Sequence, residues 1–282
     1  MTQPLGSSAP IDTPAPAGRL LDWAKESAAF IGLAVAGIAL ELPLIKSISG
    51  NGPLHLHRGT LILVCLVPAA VWFVPKLGLP GSPWLSARLR NEVPGRRLHS
   101  FLKPAMLYAL VSIAAERAAA IVEHTLRFVP ISGPSKLSRG FSPPAVRQMP
   151  GQLAFGALSA SAGTAIYEEV AYRLVVLTFC ALAISQLWRD PAGRPQRGVL
   201  WCANILQAYA FGLVHLDRGF AAPYQWNVLA PIVALALPQT WVGIVLGALY
   251  LRHGLEASMM SHVILDAALF LSVIVGSLLG LR

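Results

Sequence analysis

The sequence predicts an all-α fold, a multi-pass transmembrane helical bundle with a polar site inside the bilayer. Three observations carry that expectation. Of the 282 residues, 55% are hydrophobic and 12% charged, and the mean hydropathy is +0.60, a balance that a water-soluble domain of this size does not keep. The apolar residues gather into stretches of about 20, the length a membrane-spanning helix needs. A few ionisable residues stand inside those stretches, where each is costly unless paired or wetted.

Taken in order, the first 18 residues are rich in Pro, Ala and Ser, lack the apolar core of a secretory signal, and belong to an expected disordered cytoplasmic tail over 1–27. Spans are expected near 28–45, 59–79, 104–124, 151–187, 198–216, 228–251 and 257–280. That makes about seven, with six or eight as the alternatives. The fourth is too long for one upright helix, so a tilt, an extension into the cytoplasm or a break around Gly163 and Thr164 is expected. Pro231 and Pro238 invite a kink or split in the sixth. The chain thus divides into N-terminal helices and loops over 28–150 and a core over 151–282.

The formal net charge is +9, but the basic residues sit in short segments between apolar runs. Positive charge so placed faces the cytoplasmic leaflet, so the bilayer and not nucleic acid is the expected partner. The connection from Lys76 to Lys103 holds Lys76, Arg88, Arg90, Arg96, Arg97 and Lys103 against Glu92. It is therefore read as cytoplasmic, as is the N-terminus two spans earlier, in an inner (plasma) membrane. Arg189, Arg194 and Arg197 fall on the same side, while four basic residues in the 125–150 connection count against this orientation. Cys65, Cys180 and Cys202 lie in apolar stretches without paired spacing and read as small buried hydrophobes.

Three charged clusters stand out. In Tyr167-Glu168-Glu169-Val170-Ala171-Tyr172-Arg173, two adjacent carboxylates occupy an apolar run. Arg173, four residues after Glu169, shares its helix face and can neutralise it, while Glu168 lies about 100° round the helix toward another partner. By itself this pair is as readily a charge cluster at a helix end. Phe211-Gly212-Leu213-Val214-His215 places an aromatic one turn before a histidine, a metal ligand, a proton carrier or an interfacial ring bonded to a carbonyl. His262-Val263-Ile264-Leu265-Asp266 puts a histidine and a carboxylate on one face of the last span. There Asp266 can fix the ring tautomer or bind the same ion. Together, on three helices, these groups suit activation of water, with a Glu as base on a water polarised by a His-bound zinc. The H-E-x-x-H of soluble zinc peptidases is absent, so a metal site has to be assembled between helices.

The order E-E-x-x-x-R, F-x-x-x-H, H-x-x-x-D/N resembles the CAAX-type prenyl-protease and bacteriocin-processing (Abi) family of intramembrane peptidases, over roughly residues 151–280. The Gly-spaced helix Trp241 to Gly254 is similar to the one preceding the family's last motif. The resemblance implies an intramembrane endopeptidase acting on a peptide or membrane protein, with Glu168 activating the attacking water and Glu169 and Arg173 supporting the site. It implies His215 and His262 as ligands of the metal or the water, with Asp266 where the family often has Asn. That carboxylate favours a cation and serves poorly as a neutral donor to an oxyanion. The family is described both as zinc-dependent and as using Glu and His on water without metal; zinc is the cofactor expected here.

One feature strains against this reading. His215 ends its span and His262 begins the last, with a single crossing between. Convergence requires the fifth helix to run on past Asp217, which is favoured, or a re-entrant pair broken at Pro238 over 228–251. Elsewhere, Glu116 and Arg117 read as an interhelical pair, Arg252, His253 and Glu256 as a solvated turn, and His55, His57, His99 and His124 as loop or span-end residues. Two rival functions remain: an ion- or proton-coupled transporter, which lacks the internal repeat such folds show, and a non-catalytic adaptor or immunity-type protein of the same fold.

Overall fold

The computed structural model describes residues 16–49, 65–95, 97–126, 150–190, 195–215 and 238–279. The long apolar segments are hydrophobic all round, not on one stripe, as lipid-embedded or core helices are. A helix satisfies every backbone donor and acceptor of such a segment without water, and helices are what form. They are α1 (Pro16–Ser49), α2 (Val67–Phe73), α3 (Pro83–Leu89), α4 (Leu102–Leu126), α5 (Pro150–Glu169), α6 (Leu177–Ser185), α7 (Arg197–His215), α8 (Pro238–His253) and α9 (Leu255–Leu279). A π-helical stretch, Val170–Val176, carries α5 into α6 without interruption, and 3-10 turns follow α2 and precede α4. Among the described residues the only β pairing is an isolated bridge, Arg189 with Pro195.

Each of the seven expected spans is helical over most of its described residues. Among the described residues, four helical stretches are long and apolar enough to cross a membrane: Gly18–Glu41, Leu98–Ala115, Arg197–His215 and Leu255–Leu279. The details differ from expectation in three places. α1 is helical from its first described residue, Pro16, so residues 16–27 belong to a helix where a disordered tail was expected. The described part of the second span is a short apolar helix, Val67–Leu77, stopped by Gly78 at φ 65°. The fourth does not break at Gly163 or Thr164; it widens into the π stretch immediately after Glu169. Pro238 is the first described residue of α8, so the kink or split expected at Pro231 and Pro238 falls at the edge of the described residues. Pro231 and the proposed run of the fifth helix past Asp217 lie outside the described residues.

Gly163 has a different use from a hinge. α1 crosses α5 with backbones in contact: a Cβ on Gly37 would lie 2.7 Å from the Gly163 carbonyl oxygen, and one on Gly163 would run into the Gly37 carbonyl oxygen. Small residues allow this approach in membrane bundles, where dispersion and hydrogen bonds replace the hydrophobic drive. Around the crossing, Phe30 and Ala34 of α1, Val67 and Val71 of α2, and Tyr167, Val170 and Leu174 form the main core. On the other side of the site, the buried Asn204 and Gln207 of α7 bind α8 backbone, Asn204 Nδ2 donating to Ile244 O at 3.1 Å and Gln207 Nε2 to Gly243 O at 3.0 Å. Met106, Leu107, Leu110 and Val111 of α4 and Val273, Val275 and Leu278 of α9 are exposed, the faces such helices present to lipid.

The basic connection between α2 and α4 is folded, not loose. Its anchor is Glu256, expected in a solvated turn but buried. Glu256 Oε1 accepts from Ser82 Oγ at 2.5 Å, Trp84 N at 2.9 Å and Leu85 N at 3.0 Å. A carboxylate from α9 thus satisfies N–H groups that the start of α3 leaves without partners. The turn before it needs Gly254, at φ 90°, where a Cβ would also meet Pro83 Cδ at 2.5 Å. Arg252 is exposed, as expected, and donates to Tyr108 Oη at 2.8 Å. The cysteines correct another expectation: Cys65 and Cys202 are exposed and Cys180 is only partly buried. Arg117 is exposed and His99 lies exposed in the turn before α4; the side chains of Glu116 and His124, and residues 55 and 57, fall outside the described set.

Candidate active site

The three charged clusters converge where α5, its π stretch, α7 and α9 meet. Glu168 and Glu169 end α5 as the last residues before the widened turn, both almost without solvent access. The π geometry adds a residue to the turn, a feature frequent at functional sites, and it buries the whole run Val170–Val175, Arg173 included.

Glu169 is the centre of the hydrogen-bond network. Its Oε1 lies 2.8 Å from His262 Nδ1, and its Oε2 lies 3.2 Å from Arg173 Nε and accepts the Ser258 hydroxyl. Arg173 thus pairs with Glu169 as its spacing predicts, and its guanidinium also lies 4.9 Å over the Phe211 ring. A buried charge survives only with such compensation, and the ring face adds a cation–π contact.

Glu168 faces a partner other than Arg173: it approaches the other nitrogen of the His262 imidazole on α9. Its Oε2 is 3.9 Å from His262 Nε2, and its Oε1 accepts from Tyr167 Oη at 3.3 Å. Two adjacent carboxylates therefore bracket one ring. With Nδ1 against a carboxylate at 2.8 Å, Nδ1 is the nitrogen placed to donate, and in the neutral form of the ring Nε2 is then an acceptor facing Glu168. Asp266 Oδ2 stands 3.6 Å from the same Nε2, beyond hydrogen-bond reach. Glu169 is thus the carboxylate at hydrogen-bond distance from the ring, and Asp266, expected to fix its tautomer or bind the same ion, is the more distant one.

His215 closes the site from α7. Its Nδ1 lies 2.7 Å from the Phe211 carbonyl oxygen one turn back, the bond available to any histidine near a helix end. Phe211 is the hub: its ring centroid is 4.5 Å from that of His215, 5.0 Å from Tyr172 and 6.3 Å from His262. The two histidines thus flank one phenyl ring, and the difficulty of helix ends facing opposite sides does not arise. Both are almost fully buried. Among the described residues, no three His, Cys, Asp or Glu side chains are grouped so as to hold a metal ion. His215, His262 and Asp266 are brought to one site but not assembled there as ligands.

Ser258 is the site residue that the motifs missed. Its hydroxyl reaches Glu169 and lies 3.1 Å from Leu246 O, linking α5 to α8 through α9. The signal was present, since Ser258, His262 and Asp266 recur every fourth residue along one helix face.

Fold and site together define a class: a multi-pass helical membrane protein with a carboxylate–histidine centre enclosed between helices. Residues 150–268 match the family model described as Type II CAAX prenyl endopeptidase Rce1-like. Over that stretch, less than half the chain, the sequence is similar to that family, in keeping with the resemblance of the motif order, and every site residue named above lies within the matched residues. No curated protein and no solved structure matches the chain.

Proposed function

We propose that the protein is an intramembrane endopeptidase that hydrolyses a peptide bond of a membrane-associated protein or peptide, with Glu168 as general base. The observation that carries this reading is the pairing of Glu168 Oε2 with His262 Nε2 across 3.9 Å in a buried site. Two acceptors so spaced share one water at ordinary hydrogen-bond lengths of about 2.8 Å. The water's oxygen adds to the scissile carbonyl carbon as its proton passes to Glu168. Glu168 then returns the proton to the amide nitrogen as the C–N bond breaks, leaving a carboxylic acid, which keeps the water's second proton, and an amine. Glu169 holds the His262 ring and Arg173 holds Glu169. Tyr167 steers Glu168, and His215 lies beside the developing oxyanion.

The zinc that the resemblance implies is a separate question, since the step above runs through side chains alone. Elemental analysis of the purified protein answers it independently of turnover. The protein is placed in the inner (plasma) membrane with its N-terminus and the 76–103 segment cytoplasmic, on the positive-inside reading. Reconstituted protein incubated with membrane-inserted peptides, with products read by mass spectrometry, tests the activity. Defined cleavage products support it. No cleavage by folded protein across a broad library would leave the adaptor reading in its place.

A further inference from the structure

The run from Ser27 to Ile45 in α1 contains one ionisable residue, Glu41, and it lies outside the stretch that matches the family model. A carboxylate at membrane depth is costly without a partner and persists for a reason. Glu41 is half-buried, and its Oε1 accepts the Thr164 hydroxyl of α5. Thr164 stands one helical turn before Glu168 on the same face. The contact is pressed home by the glycine crossing beside it. A Cβ on Gly163 would lie 3.1 Å from Glu41 Cγ, and one on Gly37 would lie 3.1 Å from the backbone nitrogen of Tyr167, the residue whose hydroxyl reaches Glu168. α1 therefore grips α5 at Gly163, Thr164 and Tyr167, immediately ahead of the proposed base.

We infer that Glu41 is a positioning residue of the active site: acting from α1 through Thr164, it holds α5 in the rotation that points Glu168 at His262. The inference rests on the peptidase reading for its kinetic test, and on geometry alone for a second. A rotation of α5 by a fraction of a turn moves the Glu168 carboxylate out of the 3.9 Å relationship, and misplacements of about 1 Å cost up to about 100-fold in rate.

The experiment uses the full chain in proteoliposomes, as wild type, Glu41→Ala, Glu41→Gln, Thr164→Val and the Glu41→Ala/Thr164→Val pair. Positioning predicts that kcat falls about tenfold or more in Glu41→Ala and Thr164→Val, with KM and Tm little changed. The pair falls no further than either alone, and Glu41→Gln, whose carbonyl accepts the same hydrogen bond, recovers most of the rate. A wild-type kcat in Glu41→Ala, or a kcat that falls only in step with Tm, overturns it. The second readout needs no turnover: the rate at which dicyclohexylcarbodiimide labels Glu168, located by mass spectrometry. Glu41→Ala shifts that rate several-fold and Glu41→Gln does not. An unchanged rate overturns the inference even if wild type cleaves nothing, an outcome that would count only against the peptidase reading.

Discussion

Glu169 and His262, 93 residues apart in sequence, meet at 2.8 Å between Oε1 and Nδ1 in the interior of the bundle. Everything else in the site is arranged about that contact. It holds the ring with Nε2 toward Glu168, and the same carboxylate meets Arg173 and Ser258.

The two neighbouring glutamates should therefore fail in different ways. Glu169→Gln removes the charge that faces a buried guanidinium, and breaking such a pair costs about 3–5 kcal/mol. Thermal unfolding in detergent should show a large drop in Tm for Glu169→Gln and little change for Glu168→Gln. Equal drops would mean that the two carboxylates are not divided into a support and a reactive group.

Asp266 is predicted to be the more tolerant partner of His262, because it lies 3.6 Å from Nε2 while Glu169 holds Nδ1. Asp266→Asn should retain activity within about tenfold of wild type, a change of about 1.4 kcal/mol in the barrier. Loss beyond that, accompanied by loss of bound zinc on elemental analysis, would make Asp266 a ligand.

Glu256→Ala should release the folded connection between α2 and α4 without emptying the site. Three donors, Ser82 Oγ, Trp84 N and Leu85 N, lose their shared acceptor, at about 1–3 kcal/mol for buried groups left unsatisfied. Limited proteolysis should then cut within 83–95, where wild type resists; identical digestion patterns would refute the anchor.

Gly163→Leu should abolish accumulation of folded protein, since even a Cβ there meets the α1 backbone. Gly151→Leu, where a Cβ meets nothing within 4 Å, is the control and should express normally. Size-exclusion profiles of the two variants decide the point.

Much of this was legible in the sequence because a bilayer imposes simple rules. Apolar length marks the helices, and charge inside apolar length singles out Glu168, Glu169, Arg173, His215 and His262, which the fold brings together. What stayed hidden depends on interhelical geometry. Nothing local distinguishes Gly163 as a crossing point from Gly163 as a hinge, nor reveals that the helix widens after Glu169. Glu256 looked solvated because its neighbours Arg252 and His253 are polar, and its true partners lie more than 170 positions away. Glu41 and Ser258 belong to no motif, and each matters only through a residue on another helix.

The most direct test of the account is single-turnover cleavage of a membrane-inserted peptide by wild type and by Glu168→Gln, both shown to be equally folded by Tm. The account predicts defined products from wild type and a rate at least about 100-fold lower from Glu168→Gln, the scale of a positioned general base. Cleavage by Glu168→Gln at the wild-type rate would contradict it and remove Glu168 from the chemistry.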